Sequence, residues 1–125
     1  MAKGPTKTVL VVDDDPEIVT MVEMRLVASG FTVITATDGN EAISTARAAM
    51  PDAMLLDVMM PGKSGWEVAR TIKQDPQTAG IRIVIVSAIG PAVTDATSSL
   101  YGADAHVDKP FEFSKLEATL RAVLA

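Results

Sequence analysis

The chain has 125 residues, a length that fits one domain with a core of its own and leaves no room for a second. It has no cysteine, which excludes disulfides, thiolate metal sites and thiol catalysis. Sixteen acidic and eleven basic residues give a net charge of −5, and the scattered basic residues disfavour direct binding to nucleic acid.

The first apolar run, at positions 9–12, follows two lysines and ends at Asp13. Four residues are too few for the apolar part of a secretory signal or for a membrane span. We therefore expect a soluble cytoplasmic protein without a membrane partner. Residues 1–6 are predicted to be an N-terminal extension, and residues 7–125 a single domain.

Five segments predict β-strands, and helical patterns separate them along the chain. Continuous apolar runs such as 83–86 are typical of strands that are buried on both faces of a parallel sheet. Strands that alternate with helices in this way indicate an α/β fold with right-handed crossovers. The predicted strands cover residues 8–12, 32–36, 53–56, 83–86 and 105–107.

Capping residues mark the starts of the predicted helices. Asp15 can cap the first helix, with Pro16 at its first position. Three later pairs have the spacing of a capping box, in which a short polar residue is followed three positions later by a glutamate. These pairs are Asp38 with Glu41, Ser64 with Glu67, and Ser114 with Glu117.

The predicted fourth helix, at positions 91–100, is poorly specified. It is rich in valine, threonine and serine, which have middling or low helix propensity, and no strong cap precedes it. Either it is a surface helix held in place by packing, or it is a helix of low stability that shifts when the neighbouring site changes. Its position shortly after Ser87 favours the second interpretation more than its composition does, although packing commonly overrides a low helix propensity.

Ionisable or hydroxyl side chains stand where four of the predicted strands end. Asp13, Asp57 and Ser87 directly follow apolar runs, and Asp108 with Lys109 follows the fifth strand. The C-terminal ends of parallel strands meet at one edge of the sheet, in the crevice where such sheets bind ligands. Because neighbouring carboxylates repel one another, this pattern indicates a site for a hard cation and for a transferred anionic group.

Five different short motifs lie at intervals along the chain: Val12-Asp13-Asp14-Asp15-Pro16, Leu55-Leu56-Asp57-Val58-Met59-Met60-Pro61-Gly62, Val86-Ser87-Ala88, Gly102-Ala103-Asp104 and Lys109-Pro110-Phe111. In order and spacing they resemble the motifs of the receiver domain of bacterial two-component response regulators, and the resemblance extends from about residue 7 to residue 124. It implies a flavodoxin-like (βα)5 fold, a three-layer sandwich around a parallel five-stranded sheet in the order 2-1-3-4-5.

The resemblance also implies a chemistry. Asp57 corresponds to the phosphoacceptor, which takes a phosphoryl group from a phosphohistidine of a sensor histidine kinase or a phosphotransfer protein. Asp14, Asp57 and the carbonyl of Met59 are expected to ligate Mg²⁺ directly. Asp13 is expected to act on the ion mainly through water.

Two further side chains are expected to contact the phosphoryl group: Lys109 with its ammonium and Ser87 with its hydroxyl. The protein is then a regulatory phosphoacceptor and not a turnover enzyme, since it assists only its own phosphorylation and slow dephosphorylation. Phosphorylation is expected to switch a surface made of residues 91–100, the fifth strand and the last helix, and this surface binds a downstream protein target.

Three positions modify that expectation. His106 stands where the family usually has tyrosine or phenylalanine, the residue that swings inward when Ser87 moves toward the phosphate. Histidine is smaller and can become charged near neutral pH, so His106 is either the switch or a half-exposed strand residue without that role. Met59 and Ile89 lie two residues after the acceptor and the hydroxyl, where apolar side chains are expected to limit water access and slow the loss of phosphate.

Other residues near the site have plainer expected roles. Trp66 is predicted to pack, and Met59 and Met60 to fill gaps beside the site. The resemblance implies a cis peptide bond before Pro110. Asp15 is assigned to helix capping and not to metal binding.

Several alternatives stay open. The sequence stops directly after the last helix, so the protein is expected to be either a stand-alone receiver or the N-terminal piece of a longer regulator with an output domain. The pair Asp13 and Asp15 also fits a phosphatase of the haloacid-dehalogenase type, although Pro16 and Glu17 depart from that family's pattern. A pseudo-receiver that binds partners without phosphorylation conflicts with the intact acidic set.

Overall fold

A computed structural model describes residues 6–60, 62–88 and 102–125. The helix predicted at positions 91–100 lies outside the described residues. None of the described helices is long and apolar enough to cross a bilayer. Strands and helices alternate in the order β1 (Thr8–Val12), α1 (Pro16–Ala28), β2 (Thr32–Ala36), α2 (Gly39–Ala49), β3 (Ala53–Asp57), α3 (Gly65–Gln74), β4 (Arg82–Ser87), β5 (Ala105–Asp108) and α4 (Phe113–Leu124).

The five predicted strands are all present, and three of them run one residue further than predicted. β3, β4 and β5 end at Asp57, Ser87 and Asp108, so these polar residues belong to the strands themselves. All neighbouring strands are parallel, in the order β2-β1-β3-β4-β5, as the resemblance implied.

The core lies in two layers, one on each face of the sheet, because alternate residues of a strand point to opposite faces. The layer under α2 and α3 includes Leu10, Val12, Leu56, Ile85, Ala46 and Ile72. The layer under α1 and α4 includes Val9, Val11, Leu55, Val86, Leu26 and Leu120. The fold is therefore the predicted three-layer sandwich, with a central sheet that is buried on both faces.

Two of the predicted helix caps form as the local sequence indicates. The Asp15 carboxylate accepts a hydrogen bond from the Glu17 backbone N–H at 2.9 Å, ahead of Pro16. Ser64 and Glu67 form a reciprocal capping box at the start of α3. Each cap satisfies backbone donors that the first turn of a helix leaves without a partner.

The capping box predicted for Asp38 and Glu41 forms only in part. The Asp38 carboxylate accepts from the Glu41 N–H at 2.8 Å, as predicted. The Glu41 carboxylate, however, accepts from the backbone N–H of Thr37 at 2.7 Å, one residue before the cap. Glu41 therefore still accepts from a backbone N–H before α2, but from that of Thr37 in place of that of Asp38.

The capping box predicted for Ser114 and Glu117 is wrong. α4 begins at Phe113, and Glu112 at its N-cap makes no side-chain capping bond. Glu117 instead accepts hydrogen bonds from Ser29 Oγ and Arg121 Nε, both at 2.9 Å. A partner at the end of α1 has replaced the local one, so Glu117 joins two helices.

The two methionines beside the site differ in their surroundings. Met60 is half-buried and packs against the layer under α2 and α3, as does Trp66. The Met59 side chain is 70% exposed, so the prediction that it fills a gap is wrong. The peptide bond between Lys109 and Pro110 is cis, as the resemblance implied.

Candidate functional site

Three carboxylates gather at the C-terminal ends of β1 and β3. These strands are neighbours, and Val12 of β1 lies opposite Leu56 of β3. Asp13 and Asp57, the residues directly after these two, therefore lie beside each other. Side-chain oxygens of Asp13, Asp14 and Asp57 all lie within 4.8 Å of one another. Asp13 and Asp57 are only 5% and 7% exposed, whereas Asp14 faces solvent.

Backbone bonds hold Asp13 in this position. Its N–H donates to the Ala36 carbonyl at 3.3 Å, which links it to the end of β2. Its Oδ1 accepts from the Asp15 N–H at 3.0 Å, while the Asp15 carboxylate caps α1. Asp15 therefore has the capping role predicted for it.

Gly65 is a site residue that the sequence analysis missed. It is the first residue of α3, and its N–H donates to the Val58 carbonyl at 3.0 Å. A Cβ at this position would overlap the Asp57 carbonyl oxygen. Glycine therefore lets the start of α3 pack directly on the backbone that carries Asp57. A glycine directly after the cap residue Ser64, where a side chain is ordinarily favoured, was the available signal.

Lys109 bridges the two buried carboxylates. Its Nζ donates to Asp13 Oδ2 at 3.1 Å and to Asp57 Oδ1 at 3.2 Å. Its backbone N–H donates to the Ser87 carbonyl at 2.7 Å, which fixes the residue just beyond β5. The Lys109 ammonium therefore contacts the carboxylates of both Asp13 and Asp57.

Electrostatics at the site are dominated by burial and by excess negative charge. Burial and the charge of Asp13 raise the pKa of Asp57, although the Lys109 ammonium opposes this. Burial by itself would lower the pKa of Lys109, but the hydrogen bond to Asp13 and the charge of Asp57 outweigh it, so that pKa is raised. The lysine thus stays charged, and one ammonium faces three carboxylates.

The donor set fits a hard divalent cation. It consists of carboxylate oxygens, with one exposed member at the mouth, and contains no nitrogen or sulfur ligand. A cation there would offset the negative charge that one ammonium leaves uncompensated. The predicted metal residues Asp13, Asp14 and Asp57 are thus together.

The remaining predicted residues lie around this centre. Ser87 is fully buried and is the last residue of β4, one position beyond Val86, which pairs with Asp57. His106 of β5 is half-buried and pairs with Ile85 of β4. Ile89 lies outside the described residues.

Comparison with known proteins agrees with this geometry. Residues 9–121 match the family model of the response regulator receiver domain. The probable transcriptional regulatory protein TcrX of Mycobacterium tuberculosis is 40% identical over 124 residues, which cover 98% of this chain and 52% of TcrX.

Two solved structures have the same fold. Chemotaxis protein CheY4 of Vibrio cholerae has a TM-score of 0.90 at 31% identity, covering 95% of this chain and 99% of that one. Response regulator TrrA of Thermotoga maritima has a TM-score of 0.84 at 32% identity, covering 94% of this chain and 99% of that one.

The chain spans about half the length of the curated relatives it matches, between 44% and 52%. The match to the family model covers most of the chain, and it includes every residue of the carboxylate and lysine cluster. The chain belongs to the family of response regulator receiver domains.

Proposed function

We propose that this receiver domain accepts a phosphoryl group on Asp57 from a phosphohistidine of a sensor histidine kinase or a phosphotransfer protein. The observation that supports this most directly is the contact of a buried Asp57 carboxylate with Lys109 beside two further carboxylates. An aspartate that served only as a turn cap would not require this arrangement.

Mg²⁺ is the proposed cofactor, held by Asp14, Asp57 and the Met59 carbonyl, with Asp13 acting mainly through water. TrrA was solved in complex with Mg²⁺ and a beryllium fluoride, and this supports a similar site here. When bound, Mg²⁺ neutralises charge on the phosphoryl oxygens and on the carboxylates that face them.

The reaction is a transfer of the phosphoryl group between two side chains. A carboxylate oxygen of Asp57 attacks phosphorus, the phosphorus–nitrogen bond of the donor breaks, and the released imidazole takes up a proton from solvent. The raised pKa of Asp57 favours the protonated acid, which cannot attack phosphorus. A cation beside Asp57 would lower this pKa and favour the attacking carboxylate. Lys109 offers its ammonium to the transferred oxygens.

The consequence of transfer is a change at a protein-binding surface. The Ser87 hydroxyl donates to a phosphoryl oxygen, and the movement of Ser87 alters a protein-binding surface to which β5 and α4 contribute. A downstream protein recognises the altered surface. This exchange with an ATP-dependent kinase implies a cytoplasmic location.

The relatives are about twice as long as this chain, and TcrX is named a transcriptional regulatory protein. In a longer protein, we propose that this domain acts as the N-terminal receiver and that another part of the chain binds DNA. The acidic receiver itself contacts proteins.

Intact mass spectrometry after incubation with Mg²⁺ and acetyl phosphate tests the phosphoacceptor. We expect the mass of one phosphoryl group to be added, and the addition to be lost in EDTA and in Asp57→Asn. Asp52→Asn is a matched control, because Asp52 is an aspartate at the opposite end of the sheet, where it accepts from the Thr8 N–H at 2.8 Å.

The control variant should be labelled as the native chain is. Labelling of Asp57→Asn would contradict the proposed acceptor. Repeated turnover of a phosphate monoester would favour the phosphatase alternative, and absence of any label with Mg²⁺ present would favour a pseudo-receiver.

A further inference from the structure

The segment that joins β3 to α3 carries Met59, whose carbonyl is a proposed ligand of Mg²⁺. We call its described residues, 58–60 and 62–64, the β3–α3 loop. The Gly65 N–H donates to the Val58 carbonyl at 3.0 Å, and a capping box fixes the start of α3. The loop is thus held at both ends, and its position between those ends depends on what packs against it.

The β3–α3 loop has little buried surface of its own. Of its described residues only Val58 is buried, while Met59 is exposed and Met60 and Lys63 are half-buried. A segment with so few buried contacts is displaced more easily than the helices beside it. Single packing contacts therefore have a large share in fixing where the loop lies.

Gly39, the buried first residue of α2, makes such a contact. A Cβ at this position would lie 2.7 Å from Lys63 Cβ and 2.9 Å from the Lys63 carbonyl oxygen. It would also lie 3.1 Å from Val68 Cγ2 of α3. Carbon atoms in ordinary contact are about 3.5–4.0 Å apart, so a side chain at position 39 would push the loop away from α2. Glycine lets the loop lie directly against the start of this helix.

Of the two elements in contact, α2 is the more firmly held. Its N-cap hydrogen bond forms at 2.8 Å, and the residues of its inner face are buried in the core. A side chain at position 39 would thus be accommodated mainly by movement of the loop, and with it of the Met59 carbonyl. Mg²⁺ demands near-ideal octahedral geometry with ligands about 2.0–2.1 Å away, so a small displacement of one ligand lowers its affinity.

We infer that Gly39 is a positioning residue for the Mg²⁺ site, although it lies on a different element from every proposed ligand. Its lack of a side chain sets how closely the β3–α3 loop approaches α2, and the loop sets the position of the Met59 carbonyl. The inference rests on the proposed function, in which that carbonyl ligates Mg²⁺. Gly39 then determines how well the site fits Mg²⁺, while Asp57 and Lys109 carry out the transfer.

Isothermal titration calorimetry of Gly39→Ala with Mg²⁺, and separately with Ca²⁺, tests the inference. We expect the Kd for Mg²⁺ to rise roughly tenfold, the scale for a residue that orients a metal ligand without binding the metal. The Kd for Ca²⁺ should rise by less than about threefold, since Ca²⁺ accepts longer and more variable ligand distances. A general loss of structure would weaken both ions equally, so the ratio of the two constants identifies a positioning role.

Labelling by acetyl phosphate gives a second measurement. The Mg²⁺ concentration for half-maximal labelling of Gly39→Ala should rise in the same proportion as the Kd for Mg²⁺. The rate at saturating Mg²⁺ should be retained, because Asp57 and Lys109 are unchanged.

Gly80→Ala is the matched control. A Cβ at this exposed glycine meets no described atom within 4 Å, and the backbone of Gly80 is outside the left-handed region. Both Kd values of Gly80→Ala should therefore equal those of the native chain. Native constants in Gly39→Ala, or an equal rise for the two ions, would overturn the inference.

A second pair of variants tests the same contact from the loop side and leaves α2 undisturbed. Lys63→Gly removes the Cβ that faces Gly39 and frees the loop, whereas Lys63→Ala keeps that Cβ and removes the ammonium. We expect Lys63→Gly to bind Mg²⁺ more weakly than Lys63→Ala by roughly threefold or more, and equal affinities would overturn the inference. If the native chain neither binds Mg²⁺ nor gains a phosphoryl group, the proposed function itself fails.

Discussion

At Asp57, burial and the negative charge of Asp13 raise the pKa above its ordinary value of 3.8, although Lys109 opposes the rise. The folded protein therefore holds this proton more tightly than the unfolded chain does. The resulting stabilisation is fully present below the unfolded pKa and is lost as pH rises through the folded pKa. At neutral pH, in the absence of a cation, the ionised carboxylate thus lowers the free energy of unfolding.

We predict that Asp57→Asn increases the free energy of unfolding of the metal-free protein at pH 7, on the order of 1 kcal/mol. The amide oxygen can still accept from Lys109, while the repulsion from Asp13 is removed. Urea denaturation in EDTA measures the effect, and the gain should shrink as pH is lowered toward the ordinary pKa of aspartate. Asp52→Asn serves as the control and should show no gain. A loss of stability in Asp57→Asn at pH 7 would contradict this account of the site.

A second prediction at this scale concerns the lifetime of the proposed phosphoaspartate. Ile89 has no hydrogen-bonding group and the Met59 thioether is only a weak acceptor, so neither side chain is suited to orient a water for attack on the phosphoryl group. We predict that the native chain loses phosphate roughly tenfold more slowly than the double variant Met59→Asn with Ile89→Glu, the scale of one positioned catalytic contact.

The measurement is phosphate release after the donor has been removed. Met59→Leu is the control, since it keeps an apolar side chain at an exposed position and should decay as the native chain does. Equal rates in the native chain and the double variant would show that these side chains do not control water access.

At the scale of the elements, the two ends of the sheet use carboxylates differently. At the C-terminal ends of the strands, Asp13 and Asp57 are crowded together, which costs stability but prepares a site. At the opposite end, single carboxylates accept backbone N–H groups and join the elements. Asp52 accepts from Thr8 of β1, and Asp104 accepts from Ile83 of β4, each at 2.8 Å.

Asp104 has the larger structural role, because it also lies 3.0 Å from Lys73 Nζ, and the Lys73 ammonium donates to the Ile81 carbonyl at 2.7 Å. We predict that Asp104→Asn destabilises the fold by about 1–2 kcal/mol, since the amide keeps an acceptor for the backbone but loses the charge. Denaturation with urea measures this loss.

Asp52→Asn is again the comparison, because Asp52 makes the same kind of backbone bond without an ion pair among the described residues. It should lose less stability than Asp104→Asn. Equal losses would mean that the ion pairs of Asp104 with Lys73 and Arg82 contribute nothing beyond the hydrogen bond to Ile83.

At the scale of the whole molecule, the strand order assembles the site. β1 lies between β2 and β3, so the chain crosses to one side after β1 and to the other side after β2. A crevice forms where the strand order reverses, at the C-terminal ends of the strands. This topology brings Lys109 to Asp57, 52 residues earlier, and to Asp13, 96 residues earlier. No local segment of the chain contains the site.

The sequence by itself determined the alternation of strands and helices, because apolar runs and capping residues act over only a few positions. It also determined, to within one residue, where the strands end, and hence that Asp13, Asp57, Ser87 and Lys109 lie at one edge of the sheet. The caps at Asp15 and Ser64 formed as predicted, since their partners lie two and three residues away.

Only the tertiary structure decided the contacts between distant parts of the chain. Glu117 bonded to Ser29, 88 residues away, in place of the local partner Ser114. The need for glycine at position 65 depended on the approach of α3 to the Asp57 backbone, and the exposure of Met59 depended on what surrounds its loop. Such contacts depend on how elements pack, and a pattern of neighbouring residues carries no information about which distant group will be nearest.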